Sequence, residues 1–344
     1  MSESKAVNTS HRYRRQIVVV TGSSAGVGRA TAIEFARHGA RVALLARGPE
    51  RLQGACQDVK AAGGEPLAIP TDVADAEQVE AAAEQVEQTW GPIDVWVNCA
   101  MATVFAPVKE VTNEEFKRAT EVTYLGTVHG TKAALKRMLP RNRGSIVQVG
   151  SALSYRAVPL QAAYCASKFA IRGFTDALRV ELMHDNSAVA LTMVQLSAFN
   201  TPQFDWGRTH LSHRPQPIPP IYQPEVAARG IHYAAYAGRR EIWVGWPAYK
   251  AILGNKLLPS LGDRILSKEG YSGQITDQPL KPDRPDNLFE PPPGDFGIHG
   301  RFDSRSRDRS PALWLTMNRG RLLLGAVAAL MLGVVATRRL TQRN

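Results

Sequence analysis

Tyr164, Lys168 and Ser151 are the residues whose types and spacing best fit a proton-transfer site. Tyr164 and Lys168 stand four positions apart at the start of a predicted helix, so one helical turn places both on the same face. A unit charge ~4 Å away at an effective dielectric of ~20 supplies about the 4 kcal/mol that lowers a phenol pKa from about 10 to about 7. We therefore expect Tyr164 to act as a general acid or base near neutral pH, while Ser151 donates a hydrogen bond to a substrate oxygen.

The spacing Tyr-x-x-x-Lys on its own more often marks a surface pair than an active site. Its position in the chain favours the catalytic interpretation. Ser151 lies thirteen residues before Tyr164, just after a predicted strand, and a glycine-rich turn precedes both.

That turn is TGSSAGVG, residues 21–28, between a predicted strand and a predicted helix. Gly22, Gly26 and Gly28 let the backbone approach a pyrophosphate, and the free N–H groups at the start of the following helix attract anions. A turn that only redirects the chain is the alternative interpretation, and the Ser, Tyr and Lys downstream weigh against it.

Arg47 ends the second predicted strand, where a dinucleotide site distinguishes a ribose 2′-hydroxyl from a 2′-phosphate. No acid stands there to accept from a hydroxyl, and a guanidinium can bind a phosphate through two hydrogen bonds. The sequence therefore favours NADP(H) over NAD(H), with a solvated surface arginine as the alternative.

Short apolar runs alternate with helical periods from residue 16 to about 244, which predicts βαβ units around a parallel sheet covered on both faces. We predict an α/β protein with a Rossmann-type, doubly wound sheet in three layers, as a single domain with a C-terminal tail. The predicted strands are 16–21, 41–46, 66–71, 93–98, 144–149, 188–196 and 241–244. The predicted helices are 28–38, 49–62, 75–90, 112–139, 164–184 and 223–237.

Over about residues 14–250 the chain resembles the short-chain dehydrogenases/reductases, which carry the same glycine-rich turn and the same Ser, Tyr and Lys. The resemblance implies catalysis by Ser151, Tyr164 and Lys168. It also implies a cofactor site that includes Lys168, as a ligand of the nicotinamide ribose, and Asp72, beside the adenine. The implied cofactor-binding residues are Thr21, Gly22, Ser23, Ser24, Gly26, Val27, Gly28, Arg47, Asp72, Val73, Asn98, Ala100, Tyr164, Lys168 and Thr201.

Three positions depart from the family pattern. Thr123 replaces the catalytic Asn that is understood to hold a water linking the Lys to solvent, so we expect proton relay through Thr123 to be slower or routed differently. Met101 replaces a Gly, and Leu196-Ser197 replaces a Pro-Gly pair, while Thr201 is kept. None of these changes removes a reacting group.

The family's substrate lid corresponds to about residues 201–222. Its Phe204, Trp206, Leu211 and Ile221 suit an apolar substrate, but they would equally suit packing of the lid onto the body. We assign no role to His210 or His213.

We divide the chain into a flexible N-terminus (1–13), the NADP-binding domain (14–275), a Pro/Gly-rich linker (276–312) and an apolar C-terminal helix (313–344). Residues 322–336 are apolar on every side and flanked by arginines, which favours a membrane anchor over burial in an oligomer interface or in the body. The arginines place the catalytic domain on the cytoplasmic side. A helix of fifteen residues is nevertheless only about 22 Å long, which is short for a bilayer.

The net charge of +11 does not predict a nucleic-acid partner, because the basic residues are scattered among acids. Three cysteines with no metal-ligand spacing predict a reducing compartment and no metal site.

The expected function is hydride transfer between NADP(H) and a small or lipophilic alcohol or carbonyl compound. A catalytically impaired NADP(H)-binding sensor or a membrane-associated scaffold is the alternative.

Overall fold

The computed structural model describes residues 16–281, 283–322 and 324. The predicted N-terminal arm (1–13) lies outside these residues, as does most of the predicted apolar segment 322–336. In the described part of the chain, no helix is both long enough and apolar enough to cross a membrane.

Seven parallel strands form the central sheet and confirm the predicted Rossmann-type fold. They are β1 (Ile17–Thr21), β2 (Arg41–Ala46), β3 (Glu65–Pro70), β4 (Val95–Asn98), β5 (Ser145–Ser151), β6 (Ala190–Leu196) and β7 (Glu241–Val244). Their order across the sheet is β3-β2-β1-β4-β5-β6-β7. The order reverses between β1 and β4, which is the place where such sheets bind ligands at their carboxyl edge.

Helices cover both faces of the sheet. They are α1 (Gly26–Arg37), α2 (Pro49–Ala61), α3 (Ala76–Trp90), α4 (Asn113–Thr120), α5 (Gly126–Met138), α6 (Ala162–His184), α7 (Gln203–Trp206), α8 (Pro224–Ala237), α9 (Trp246–Leu257) and α10 (Pro259–Glu269). Val18 and Val20 of β1 pack in one apolar cluster with α1, α2 and α8. Ile17 and Val19 pack in the other, with α3, α5 and α6. The sheet is therefore buried on both sides, as its continuous apolar runs predict.

The predicted helix 112–139 is interrupted. Thr112 caps α4 through a capping box with Glu115. A π-helical turn, Glu121–Leu125, then separates α4 from α5 and contains Thr123. Such turns are rare and frequently occur at functional sites.

Short strands attach the later segments to the body of the protein. Val104–Phe105 pairs with Arg208–Thr209, and His213–Pro215 pairs with Ile275–Pro279. Ile221–Tyr222 lies between Ala198–Phe199 and Ser306–Arg307.

The segment 276–312, predicted as a Pro/Gly-rich linker, packs on the domain. Leu288 is fully buried in the cluster formed by α3, α5 and α6, and Phe302 packs with Phe105 and Phe204. The segment has too few apolar residues to form a core of its own. It is ordered because the body of the domain supplies the other side of these apolar contacts. Residues 311–322 are helical, and Tyr249 of α9 hydrogen-bonds Thr316 (Oη to Oγ1, 3.0 Å).

Leu288→Ala tests whether this segment is part of the folded domain. We expect it to lower the free energy of unfolding by about 2–5 kcal/mol, because it leaves a cavity in a closed apolar cluster. Urea denaturation followed by circular dichroism measures the change. Phe289→Ala is the matched control, since the Phe289 side chain is 47% exposed and its loss should cost about 0.5 kcal/mol or less. Equal effects of the two substitutions would mean that the segment is a loosely attached linker.

Candidate active site

The glycine-rich turn leaves the carboxyl end of β1 and enters α1. Gly22 and Gly26 have φ angles of +67° and +53°, a region that favours glycine. A Cβ at Gly22 would lie 2.6 Å from Ala100 Cα, and one at Gly28 would lie 2.1 Å from the carbonyl oxygen of Gly22. The turn can therefore be this tight only with glycine, and it leaves an open groove beside the start of α1.

One cavity of about 1220 Å³ runs from this turn along the carboxyl edge of the sheet. It brings together most of the predicted site. The predicted residues that line it are Gly22, Ser24, Gly26, Val27, Gly28, Arg47, Asp72, Val73, Ala100, Ser151, Tyr164, Lys168 and Thr201.

Thr21, Ser23, Asn98 and Thr123, which were also predicted, do not line the cavity. Thr21 Oγ1 accepts from the backbone N–H groups of Cys99 and Ala100, at 3.0 and 3.1 Å, and thus fixes the loop after β4. Ser23 is fully buried.

Asn98, expected to bind the cofactor, points its amide into the protein. Its Nδ2 donates to Thr131 Oγ1 (3.0 Å) and to Gln148 Oε1 (2.9 Å), and its Oδ1 accepts from Trp96 Nε1 (2.9 Å). These buried polar neighbours satisfy the amide, so the Asn98 side chain serves the scaffold, and a cofactor contact by Asn98 stays a prediction.

Ser151 ends β5, and α6 brings Tyr164 and Lys168 to the same part of the cavity. The Ser151 hydroxyl is hydrogen-bonded to Tyr164. Lys168 is 3% exposed, and its Nζ donates to the Val149 carbonyl (2.7 Å) and lies 5.5 Å from the centre of the Tyr164 ring. The three groups therefore form one cluster, in which Tyr164 interacts with the Ser151 hydroxyl and lies beside the Lys168 ammonium.

The electrostatics of this cluster differ from the expectation. Burial raises the pKa of Tyr164 above its usual value, and the hydrogen bond with Ser151 opposes that rise only in part. Burial also lowers the pKa of Lys168 to about 8. The expected lowering of the phenol pKa by Lys168 is thus not found in this structure, where loss of water is the largest influence on the pKa of each group.

Thr123 lies fully buried in the π turn behind the cluster. Its Oγ1 donates to the Ala102 carbonyl (3.0 Å) and accepts from the Ala102 N–H (2.9 Å). The hydroxyl thus anchors the loop that follows β4. A role in proton relay stays a prediction.

Arginines and a carboxylate also line the cavity at the ends of β2 and β3. Arg47 and Asp72 line it, at the ends of β2 and β3, and the Asp72 carboxylate is paired with Arg118. Arg51, in the first turn of α2, also lines this part of the cavity and was missed by the sequence reasoning. Arg51 lies four residues after Arg47, a spacing that would suggest a shared face if both residues were in one helix. Because Arg47 precedes α2, this spacing could not be interpreted as helical from the sequence.

The far wall of the cavity comes from α9 and α10, also missed, together with part of the predicted lid. This wall is largely apolar, and it includes Ile218, Trp246, Leu258, Leu261, Ile265 and Leu266. No sequence motif indicates this wall, because α10 has no buried residue and α9 has only two. His210, in the lid, pairs with Glu115 at 2.9 Å and does not line the cavity.

Comparison with known proteins agrees with this arrangement. The family model of short chain dehydrogenases matches residues 16–209. The chain is 30% identical to an uncharacterized oxidoreductase of Bacillus subtilis, YxnA, over 330 residues, which cover 95% of this chain and 92% of that protein.

Two further relatives are similar over part of their length. Over 192 residues the chain is 38% identical to a 3-dehydrosphinganine reductase of Danio rerio, covering 54% of this chain and 57% of that one. Over 179 residues it is 35% identical to a 3-ketodihydrosphingosine reductase of Mus musculus, covering 51% and 54%. The chain thus spans little more than half the length of these two reductases.

The chain belongs to the short-chain dehydrogenase/reductase family of oxidoreductases, whose members use a nicotinamide cofactor. The groove beside the glycine-rich turn fits such a dinucleotide. The Thr201 side chain provides a further indication, because its buried Oγ1 has no hydrogen-bond partner among the described residues although Thr201 lines the cavity.

The pKa of Lys168 gives a stability prediction. In the unfolded chain this amine keeps its proton up to a pKa of 10.5, whereas the folded protein releases it at about 8. The unfolded state therefore binds more protons between these values, so folding becomes more stable as pH rises through them, by on the order of 3 kcal/mol. Lys168→Met should remove this rise, which urea denaturation of both proteins from pH 7.5 to 10.5 would measure. Parallel pH profiles would show that the buried amine is not the group responsible.

Proposed function

We propose that this protein is an NADP(H)-dependent reductase of a carbonyl group on a lipophilic substrate. The observation that carries the proposal is the single continuous cavity. It joins the glycine-rich turn and Arg47 to the cluster of Ser151, Tyr164 and Lys168, and it then continues to the apolar wall of α9 and α10.

The chemistry assigned to the cofactor is hydride transfer to the carbonyl carbon. Tyr164 donates its proton to the carbonyl oxygen, and Ser151 donates a hydrogen bond to the same oxygen, so that an alcohol results. The raised pKa of Tyr164 keeps the phenol protonated near neutral pH, which suits an acid that acts in the reductive direction. Lys168 stabilises the phenolate that remains, because its ammonium lies beside the ring.

Preference for NADP(H) over NAD(H) rests on Arg47 and Arg51. Both line the cavity at the end assigned to the adenosine, and neither forms an ion pair with a carboxylate among the described residues. Their positive charges are available to a 2′-phosphate, which accepts from guanidinium groups through charge-assisted hydrogen bonds.

The substrate class rests on the apolar wall and on the relatives. Trp246, Leu258, Leu261 and Ile265 line the cavity and are partly exposed at its rim, which suits a long apolar chain entering from outside. Two relatives are named for the reduction of 3-dehydrosphinganine and 3-ketodihydrosphingosine. We propose a ketone carried on a long alkyl chain. Membrane attachment through residues 322–336 stays a prediction.

Tyr164→Phe tests the catalytic assignment. With NADPH and ketones of increasing alkyl length, we expect kcat to fall by about 100- to 10,000-fold because the proton donor is lost. NADPH binding, measured by fluorescence titration, should persist. For the unaltered protein, kcat/KM should rise with chain length.

Tyr155→Phe is the matched control for Tyr164→Phe. Tyr155 Oη donates to the Glu241 carboxylate (2.9 Å) and does not line the cavity. Its loss should leave turnover nearly unchanged. Full turnover by Tyr164→Phe would contradict the assignment, and turnover of short polar ketones alone would contradict the substrate class.

Arg47→Leu tests the choice of cofactor. The loss of a charge-assisted contact with the 2′-phosphate should raise the Kd for NADPH about 10- to 100-fold. The Kd for NADH should change far less, so the ratio of the two constants, from calorimetric titration, is the decisive measurement. An unchanged ratio would show that Arg47 does not read the 2′-phosphate.

A further inference from the structure

Residues 286–297, which we call the strap, cross the adenosine end of the cavity. Asn287 and Pro291 of the strap line the same cavity as Arg47, Arg51 and Gly48. The fully buried Leu288 holds the strap on the core, and the Asn287 N–H donates to the carbonyl of Trp206 in α7 (3.0 Å). The groove is therefore roofed by a chain segment that comes from beyond the part matched by the family model.

Backbone carbonyls of the strap are the acceptors for the two arginines. Arg47 donates to the carbonyls of Phe289 (2.6 Å) and Asn287, and Arg51 donates to those of Gly294 (3.0 Å) and Pro292. A carbonyl satisfies the N–H groups without neutralising the charge. Arg47 and Arg51 can therefore hold the strap and still present a positive field to the groove.

Aromatic contacts extend this attachment to the substrate lid. The Arg51 guanidinium lies 4.7 Å from the centre of the Trp206 ring and 4.8 Å from that of Phe296, and the two rings meet edge to face. The strap thus connects the adenosine end of the cavity with α7.

A third arginine joins the strap to the glycine-rich turn. Arg29, 4% exposed, pairs with Asp295 of the strap (2.5 Å) and also with Asp58 of α2 (2.7 Å). The Gly26 N–H donates to the Gly297 carbonyl (3.1 Å) beside this pair. The strap is therefore fixed at the start of α1, where a pyrophosphate would lie.

We propose that the strap is an additional wall of the cofactor site, latched by the Arg29–Asp295 pair, and that it retains the bound dinucleotide. The proposal rests on dinucleotide binding in this cavity. The open groove beneath the strap accommodates the adenosine, and a molecule of that length leaves readily only when the strap lifts. Weakening the latch therefore speeds release of the cofactor without touching a group that contacts it.

The test compares Asp295→Asn with Asp58→Asn in the full chain. Each substitution removes one carboxylate from the same Arg29, and the two aspartate side chains are 39% and 40% exposed. Only Asp295 belongs to the strap. We expect Asp295→Asn to increase the dissociation rate of NADPH about three- to tenfold, because a partly exposed ion pair is lost, while Asp58→Asn changes it by less than about twofold.

Two measurements decide the outcome. Stopped-flow fluorescence with excess NADP⁺ gives the NADPH dissociation rate, and hydrogen exchange follows the amides of the strap. Bound NADPH should slow exchange at the strap in the unaltered protein and slow it less in Asp295→Asn.

Equal dissociation rates for the two variants would overturn the strap proposal and leave the proposed function standing. Faster exchange of the strap with NADPH bound would also overturn it, since it would mean that strap and cofactor compete. If the unaltered protein bound neither NADPH nor NADH, the proposed function would fail first and the strap proposal with it.

Discussion

The carboxyl ends of parallel strands all lie at the same edge of their sheet, and the candidate site depends on this constraint. Six strand ends, those of β1 to β6, supply residues to a single cavity although these residues are far apart in the chain. The glycine-rich turn, Arg47, Asp72 and Ser151 all follow or end such strands. A helix then needs only to cross the same edge to add its own groups, and α6 does so with Tyr164 and Lys168.

Burial at that edge sets the chemistry. A phenol and an amine removed from water both favour their neutral forms, so the pKa of Tyr164 rises while that of Lys168 falls to about 8. A Coulomb estimate with a fixed distance and dielectric predicts a lowered pKa for the phenol. It gives the wrong direction because it omits the loss of water from both groups. The Val149 carbonyl and the Ser151 hydroxyl offset part of this cost and hold the pair in place.

Much of the domain could be read from the sequence, because its signals are local. Apolar runs predicted all seven strands of the central sheet within a few residues, and the tight spacing of glycines predicted the turn after β1. Features that depend on distant partners could not be read in this way. The π turn at Thr123, the inward amide of Asn98 and the apolar wall from α10 each depend on neighbours from elsewhere in the fold. Asn98 also shows that one residue of a predicted cofactor site can have a side chain that serves the scaffold, while other residues predicted for that site line the cavity.

The strap shows how composition can mislead. A segment rich in Pro and Gly carries few N–H donors and little apolar surface, so its carbonyls need donors from another part of the molecule. Arginine provides up to five N–H groups on one long side chain, and Arg47, Arg51 and Arg118 all donate to carbonyls between Asn287 and Gly294. Some of the arginines that contribute to the net charge of +11 thus form contacts within the protein. This arrangement orders a segment that could not order itself, and it concentrates cations where an anionic dinucleotide would need them. The same arginines can therefore both hold the strap and attract an anionic ligand, because a carbonyl acceptor does not neutralise their positive charge.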